Sequence, residues 1–179
     1  MRFAIVTIVA ASTPAVAGPM TFGADLGVMQ SRLDAGSSPN PTLGAFGRLG
    51  VARQLAVQLS VARIEMPDGN MMPGIDMKQV DAAVIADLGA GTIVPVVIAD
   101  IGVDRAQWQE LRDRVYAHAE IGLGLDWRFA GGLVIGADAR LGHRTLVAHS
   151  EADIDTYLEP RMLSEGDYRS VRLYAGVRF

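Results

Sequence analysis

The stretch from Tyr116 to Phe129, which reads YAHAEIGLGLDWRF, decides the fold of this chain. Its odd-numbered residues are all apolar, whereas its even-numbered residues are polar, charged or glycine. Successive side chains of a β-strand point to opposite faces, so this period of two predicts a strand with one apolar and one polar face. In a helix the same residues would be scattered around the whole circumference.

The same alternation recurs along most of the chain. It is clear in 54–61, 133–142 and 171–179, and weaker in 21–32, 43–51, 78–88 and 92–103. Together with 116–129 these segments predict about eight strands, and most are longer than the roughly five or six residues typical of soluble sheets. The fold class is therefore predicted to be all-β.

The composition excludes several classes of protein. Half of the 179 residues are hydrophobic and 20% are charged, so intrinsic disorder is not expected, and the length suits one domain. The chain has no run of roughly 18 apolar residues, which a membrane-spanning helix requires. A net charge of −4 gives no reason to expect nucleic-acid binding, and the lack of cysteine excludes a disulfide framework.

The N-terminus has the pattern of an export signal. A positively charged start is followed by the apolar stretch Phe3 to Ala11, and Ala15-Val16-Ala17 places small residues where a signal peptidase reads them. We therefore predict that residues 1–17 form a cleaved signal peptide and that residues 18–179 form the mature domain. A buried N-terminal strand is the alternative interpretation of the same residues.

The predicted connections alternate between short and long. Pairing of Val51 with Leu55, of Leu88 with Ile93 and of Phe129 with Leu133 gives hairpin loops at 52–54, 89–92 and 130–132. The longer connections are expected at about 33–42, 64–77, 104–114 and 147–167, with one or two helical turns in 104–114. This order places both chain termini at the end of the sheet that has the tight turns.

Charged residues and glycines share the polar face of the strands. A solvated outer face usually carries lysine and few glycines, but Lys78 is the only lysine of the chain. Acids and arginines mixed with glycine instead suit a narrow interior where charges pair, because unpaired buried charges are costly. His118 is expected to face this interior beside Tyr116 and Glu120. The predicted inward network consists of Asp25, Arg48, Asp81, Asp87, Asp100, Glu120, Asp126, Arg128, Asp138, Arg140, Arg172 and Arg178.

The opposite face is almost purely aliphatic, as contact with lipid requires. Phe22, Trp127, Phe129 and Phe179 fall at the tight-turn ends of their strands, and Trp108, Tyr116, Tyr157 and Tyr168 fall in or beside the long connections. We therefore predict two aromatic girdles around an aliphatic band, which is the pattern of a transmembrane barrel. A soluble barrel of the lipocalin type, which also has about eight alternating strands, is the alternative.

The C-terminal residues complete the pattern. Phe179 is preceded by apolar residues at alternating positions, namely Val177, Ala175 and Leu173. This ending resembles the C-terminal signal that the barrel-assembly machinery reads. With the export signal and the long alternating segments, it makes the chain resemble a small bacterial outer-membrane β-barrel of the OmpA/OmpX type. The resemblance implies an eight-stranded antiparallel up-and-down transmembrane β-barrel in the bacterial outer membrane, with membrane lipid, lipopolysaccharide and the assembly machinery as partners.

Barrels of this kind have several unrelated functions. A charged interior in a small barrel implies a closed or very narrow lumen without general porin activity. We therefore expect a structural or surface-interaction role, in adhesion or envelope integrity. Loops 104–114 and 147–167 are the expected contact surface for a ligand. A narrow conduit for small or apolar solutes, as in OmpW relatives, is the alternative that an apolar interior would favour.

Catalytic residues are not expected, although His143, His149, Ser150 and Glu151 could supply a nucleophile and a base. Outer-membrane lipid A deacylases carry a His and a Ser two residues apart on one strand, with a Glu on a neighbouring strand. His149 and Ser150 are adjacent, so on a strand they would point to opposite faces. A lipid-modifying enzyme is therefore the less favoured alternative.

Metal ions and cofactors are not expected either. Two acidic groups in the long connections lack the spacing of an EF-hand loop and are interpreted as solvated residues. They are Asp68, Asn70 and Asp76, and Glu151, Asp153 and Asp155.

Overall fold

The computed structural model describes residues 18–31, 39–66, 75–108, 112–149 and 166–179. They form eight strands: β1 (Met20–Ser31), β2 (Asn40–Ala52), β3 (Leu55–Met66), β4 (Ile75–Asp87), β5 (Ile93–Trp108), β6 (Arg112–Arg128), β7 (Leu133–His149) and β8 (Gly166–Arg178). Neighbouring strands pair antiparallel, and β8 pairs with β1, so the sheet closes. The predicted eight-stranded antiparallel up-and-down barrel is confirmed. Among these residues no helix is long and apolar enough to span a membrane.

Tight turns connect β2 to β3, β4 to β5 and β6 to β7. The third turn is formed as predicted: the amide of Phe129 donates to the carbonyl of Leu133 at 2.9 Å. Gly131 and Gly132 have φ angles of 100° and 89°, in the region where a side chain is strained. Glycine is therefore required for an unstrained turn at this position.

The other two tight turns differ from the prediction. Ala52 pairs with Leu55, which leaves a shorter turn at 53–54, because the register shifts between Gly50 and Ala52. Leu88 donates its amide to the carbonyl of Pro95 at 2.8 Å instead of pairing with Ile93. Alternation assigns residues to faces and not to partners, so it could not show either shift.

The strands extend further towards the long connections than predicted. β5 runs to Trp108 and β6 starts at Arg112, so the expected loop at 104–114 shrinks to 109–111, and helical turns are wrong for its described residues. The other long connections shrink to 32–39, 67–74 and 150–165. Residues expected in these connections instead continue the alternation of the strands, as the buried side chain of Asp104 shows.

The outward face of the barrel is apolar over a defined height. On β5 the outward residues from Ile93 to Val103 are all apolar, and Arg105 is the first charged one. At about 3.4 Å per residue and a tilt of about 40–45°, this stretch rises by roughly 25 Å, the height of the apolar band of transmembrane barrels. Ile101 and Leu123 are more than 60% exposed. This face therefore exposes a continuous apolar surface, which soluble monomers rarely do.

Candidate functional site

The barrel interior concentrates the charged side chains and is the candidate functional site. The structure places all the residues of the predicted inward network on this side of the sheet. Buried among them are Asp25, Asp81, Asp100, Glu120, Asp126, Asp138, Arg140 and Arg172, and half-buried are Arg48, Asp87, Arg128 and Arg178. Most of these charges group in three layers, which we name lower, middle and upper, counting from the tight turns.

The lower layer is built around the carboxylate of Asp126. It accepts hydrogen bonds from Arg48 Nη1 at 2.9 Å, from Arg128 Nη2 at 2.9 Å and from the Tyr174 hydroxyl. Arg128 also donates to both carboxylate oxygens of Asp87, at 2.6 and 2.7 Å. These are charge-assisted bonds, the stronger class of hydrogen bond. They come from β2, β4, β6 and β8, so the layer ties opposite walls of the barrel together.

Arg140 is the centre of the middle layer, and its side chain is 2% exposed. Two of its nitrogens donate to Asp138, at 2.8 and 3.0 Å, and the third donates to Asp100. Glu120 lies 3.6 Å from the same guanidinium, and Arg172 donates to Asp138 at 3.3 Å. Two arginines thus face three carboxylates in a space from which water is largely excluded.

The upper layer places one histidine between two aspartates. His118 Nε2 lies 2.9 Å from Asp81 Oδ1, and its Nδ1 lies 3.0 Å from Asp104 Oδ1. Both ring nitrogens can donate to a carboxylate only in the imidazolium form. Arg144 donates to Asp104 at 2.5 Å, and its guanidinium lies 4.6 Å from the centre of the Tyr168 ring. The aspartates are therefore the close partners of His118, rather than its strand neighbours at 116 and 120.

The interior holds residues that the sequence analysis did not assign to it. They include Asp104, Arg114, Arg144, Tyr168 and Tyr174. Arg144 continues the alternation of β7 and could have been found by extending that strand, whereas Asp104 fell in an expected loop. With these residues, the described inward positions carry eight carboxylates and seven guanidinium groups.

The predicted aromatic girdles are found at one end only, as far as the described residues show. The exposed aromatic residues at the tight-turn end are Phe22, Trp127, Phe129 and Phe179. Tyr116 and Tyr168, which were assigned to the second girdle, are buried in the interior. Both lie at inward positions of strands that run further than predicted, so that assignment is wrong. The side chain of Trp108 and the whole of Tyr157 lie outside the described residues.

Part of the interior is apolar, and here the expected mixture of charges and glycine is incomplete. Ala83 and Ile85 of β4 pack with Val94, Val96 and Ile98 of β5 in one buried cluster. A second buried cluster, nearer the long connections, consists of Met29, Ile64, Met77, Ala106, Tyr116 and Tyr168. The run at 93–98 is apolar on both faces, so alternation gave no signal for the first cluster.

The described interior contains little open space. Two cavities near mid-height have volumes of about 10 Å³ each, and Asp25 and Arg172 line both. Such a volume holds at most one water molecule. A larger cavity of about 500 Å³ opens at the tight-turn end and is lined at its inner side by Arg48, Asp126 and Arg128 of the lower layer. Around these two small cavities, side chains of the described strands therefore fill the lumen above that layer.

Inward glycines make room for the largest interior side chains. A Cβ on Gly136 would lie 2.3 Å from the ring of Tyr174, and a Cβ on Gly142 would lie 2.4 Å from the ring of Tyr168. Each glycine faces its tyrosine across the β7–β8 pair. Tyr174 cannot turn away without losing its hydrogen bond to Asp126. The glycines are thus part of the packing of the network.

Gly136→Ala is expected to lower the free energy of unfolding by about 1–3 kcal/mol, because the added carbon overpacks against the ring of Tyr174. Urea unfolding of the barrel in lipid vesicles measures this change. Gly89→Ala is the matched control, since the nearest atom to its Cβ would lie at 3.9 Å. Equal stability of the two variants would show that Gly136 has no packing role.

Of the residues considered for catalysis, His143 is the one whose side chain the structure describes. It points outward, and its Nδ1 lies 2.8 Å from Asp167 Oδ1, with exposed fractions of 61% and 59%. The side chain of His149, and Ser150 and Glu151, lie outside the described residues. The described part of this group is therefore an exposed side-chain contact on the outer surface.

Of the residues considered for calcium, Asp76 is described, and its Oδ1 lies 2.9 Å from Arg63 Nε. Asp68, Asn70, Glu151, Asp153 and Asp155 lie outside the described residues. Within the described ranges, no group of three or more His, Cys, Asp or Glu side chains could hold a metal ion.

The residues of the predicted assembly signal lie at the seam between β8 and β1. Leu173, Ala175 and Val177 are exposed on the outward face of β8. Phe179 follows them, and its amide donates to the carbonyl of Met20 at 2.8 Å. The signal thus coincides with the strand that closes the barrel.

No family model matches the chain, and no curated protein matches it. Solved structures do match, and two of them show what the fold is similar to. Neisserial surface protein A (NspA) is 14% identical, with 89% of this chain and 94% of that chain covered and a TM-score of 0.63. The N-terminal β-barrel domain of Pseudomonas aeruginosa OprF is 14% identical, with 91% and 99% covered and a TM-score of 0.55. Both are outer-membrane eight-stranded barrels, so the predicted resemblance is confirmed for the fold.

Proposed function

We propose that this chain is an integral outer-membrane protein with a closed, charged lumen and a structural or surface-interaction role, in adhesion or envelope integrity. The observation that carries the proposal is the inverted distribution of side chains. Large aliphatic residues cover the outside of a closed barrel, while arginines and carboxylates fill its interior. A soluble barrel would place the charged residues outside. Similarity in fold to NspA and to the OprF barrel domain supports the same location.

The orientation follows from the two unequal ends of the barrel. Outer-membrane barrels have short periplasmic turns and longer extracellular loops. The tight turns at 53–54, 88–92 and 129–132 would therefore face the periplasm, together with both termini of the mature domain. The connections at 32–39, 67–74 and 150–165, together with the short one at 109–111, would face the cell exterior. A surface ligand would bind there, chiefly through 150–165.

Fractionation tests the location of the protein. We expect the full-length protein in the outer-membrane fraction, with an electrophoretic mobility that changes on boiling, because a closed barrel resists dodecyl sulfate until it is heated. Mass spectrometry of the same band should give Gly18 as the first residue, since signal cleavage is proposed after Ala17. Recovery of soluble protein from the periplasm would refute the membrane proposal.

Single-channel recording tests the closed lumen. Because side chains fill the interior above the lower layer, the reconstituted protein is expected to give no stable large conductance. A general porin added to the same bilayer is the positive control. Stable large conductances from the protein alone would contradict the closed lumen and favour the conduit. The apolar clusters around Val96 and around Met77 are the features that point to a conduit, but both pack within an interior that also holds the charged layers.

A surface-interaction role has its own test. Deletion of the gene should weaken adhesion or increase the sensitivity of the envelope to detergent, and the intact gene should restore both. A variant that lacks 150–165 but keeps the barrel separates the two roles, because we expect it to restore envelope integrity and not adhesion. Full restoration of adhesion by this variant would contradict binding through that connection.

A further inference from the structure

Charged side chains on the outside of the barrel are confined to the end with the long connections. Arg63 on β3, Lys78 on β4 and Arg105 on β5 are the first charged outward residues met when these strands are followed from the tight turns. All three are exposed. Outward positions nearer the tight turns carry no charge in the described strands. The outer surface is therefore polarised along the barrel axis.

The three cations lie in one row. Arg63 pairs with Lys78 across β3 and β4, and Lys78 pairs with Arg105 across β4 and β5. Adjacent strands are about 4.8 Å apart, so the row extends over roughly 10 Å of the surface. We name it the cation row.

A row of valines lies directly below the cation row. Val61, Val80 and Val103 occupy the next outward positions towards the tight turns, and they pair with each other in the same way. Each is about half exposed. No polar outward residue thus lies between the cation row and the aliphatic band. At the boundary between the two, a lipid headgroup would join its acyl chains.

We propose that the cation row binds the phosphate groups of lipopolysaccharide in the outer leaflet. The inference rests on the proposed function, since the row lies at the outer leaflet only if the long connections face outward. Arginine suits phosphate because its planar donors match two oxygens at once. Lysine between two arginines adds a flexible third charge. The valines below would contact the acyl chains of the same molecule.

Acidic neighbours hold Arg63 in the row without covering it. Its Nε lies 2.9 Å from Asp76, its Nη1 lies 3.2 Å from Glu65, and its side chain remains 57% exposed. Glu65 and Asp76 pair with each other one outward position nearer the long connections. The carboxylates therefore contact Arg63 from the side of the long connections, and more than half of its side chain remains accessible to a phosphate.

Arg169 provides a matched control on another part of the barrel. It is an exposed outward cation on β8 near the same end, and it donates to the side chain of Gln30 at 3.1 and 2.6 Å. Its outward neighbour across the pairing with β7 is Leu141. It therefore stands apart from the cation row and does not form part of the proposed site.

The experiment compares three proteins folded in amine-oxide micelles: the unmodified barrel, the triple variant Arg63→Gln, Lys78→Gln, Arg105→Gln, and the control Arg169→Gln. Native mass spectrometry measures the affinity of each for bisphosphorylated lipid A and for the same lipid without phosphates. Each cation near an anionic lipid surface contributes a factor of roughly five in affinity. The triple variant is therefore expected to bind bisphosphorylated lipid A on the order of a hundredfold more weakly, and the control as tightly as the unmodified barrel.

The phosphate-free lipid should bind the unmodified barrel and the triple variant equally. Equal binding of bisphosphorylated lipid A by these two proteins would overturn the proposal. So would displacement of the lipid by an equal concentration of inorganic phosphate, since the site would then recognise free phosphate and not the headgroup. A second variant, Arg63→Lys, Arg105→Lys, should keep most of the affinity because it keeps the charge. Mobility before and after boiling shows that each variant is folded, and failure of the unmodified barrel to fold would refute the proposed function instead.

Discussion

Arg140→Met is expected to destabilise the barrel by about 3–5 kcal/mol, the cost of removing one partner from a buried ion pair. The guanidinium of Arg140 contacts Asp138, Asp100 and Glu120, and methionine fills a similar volume without donating to any of them. Three carboxylates would then face Arg172 alone. Urea unfolding in lipid vesicles, followed by tryptophan fluorescence, measures the loss.

Arg169→Met is the control for this measurement, because it removes an exposed arginine from the neighbouring strand β8. A change within about 0.5 kcal/mol is expected for an exposed side chain away from the core. Arg140→Lys should fall between the two, since lysine keeps the charge but lacks the planar set of donors. Similar losses from Arg140→Met and Arg169→Met would show that the middle layer does not stabilise the barrel.

Leu123→Arg is expected to cost about 2–4 kcal/mol, which is the penalty for arginine on the lipid face at the bilayer midplane. Leu123 is 65% exposed, on the outward face of β6 and well within the aliphatic band. In a soluble barrel the same substitution would place a charge in water and cost little. The measurement is the urea midpoint of folding into vesicles.

Val147→Arg is the depth control for Leu123→Arg. Val147 is equally exposed, at 65%, but it lies on β7 above the level of the first polar outward residues. The penalty near the membrane interface is about 0–1 kcal/mol. A depth-dependent difference between the two variants supports the lipid-facing assignment, and equal costs would contradict it.

The faces of the strands could be predicted from the sequence because the side-chain period of a strand is two. Leu123 and Glu120 were separated correctly by parity alone, as were Asp138 and Ala139. Strand ends were harder to predict, because Asp104 fell in an expected loop although it lies on a strand. Alternation cannot show which residues face inward where both faces of a strand are apolar, as at 93–98.

The partners inside the barrel could not be predicted in the same way. That Asp126 meets Arg48 depends on tilt and closure of the sheet, which bring together residues separated by 78 positions in the chain. The shift between Gly50 and Ala52 likewise changes the register of β2 against β3, and the alternation of apolar and polar residues does not show it. Local pattern therefore assigned most members of the network, and the three-dimensional closure determined their pairs.

The bonds of the lower and middle layers also set the order in which the barrel can form. Tyr174 reaches Asp126, and Arg172 reaches Asp138, only after the last strand has arrived between β7 and β1. A sheet of seven strands would keep the bonds from Arg48, Arg128 and Arg140 but would lack those from Tyr174 and Arg172. We therefore expect insertion to be all-or-none, with no stable half-barrel, and a chain truncated before β8 to be degraded rather than stored as an intermediate.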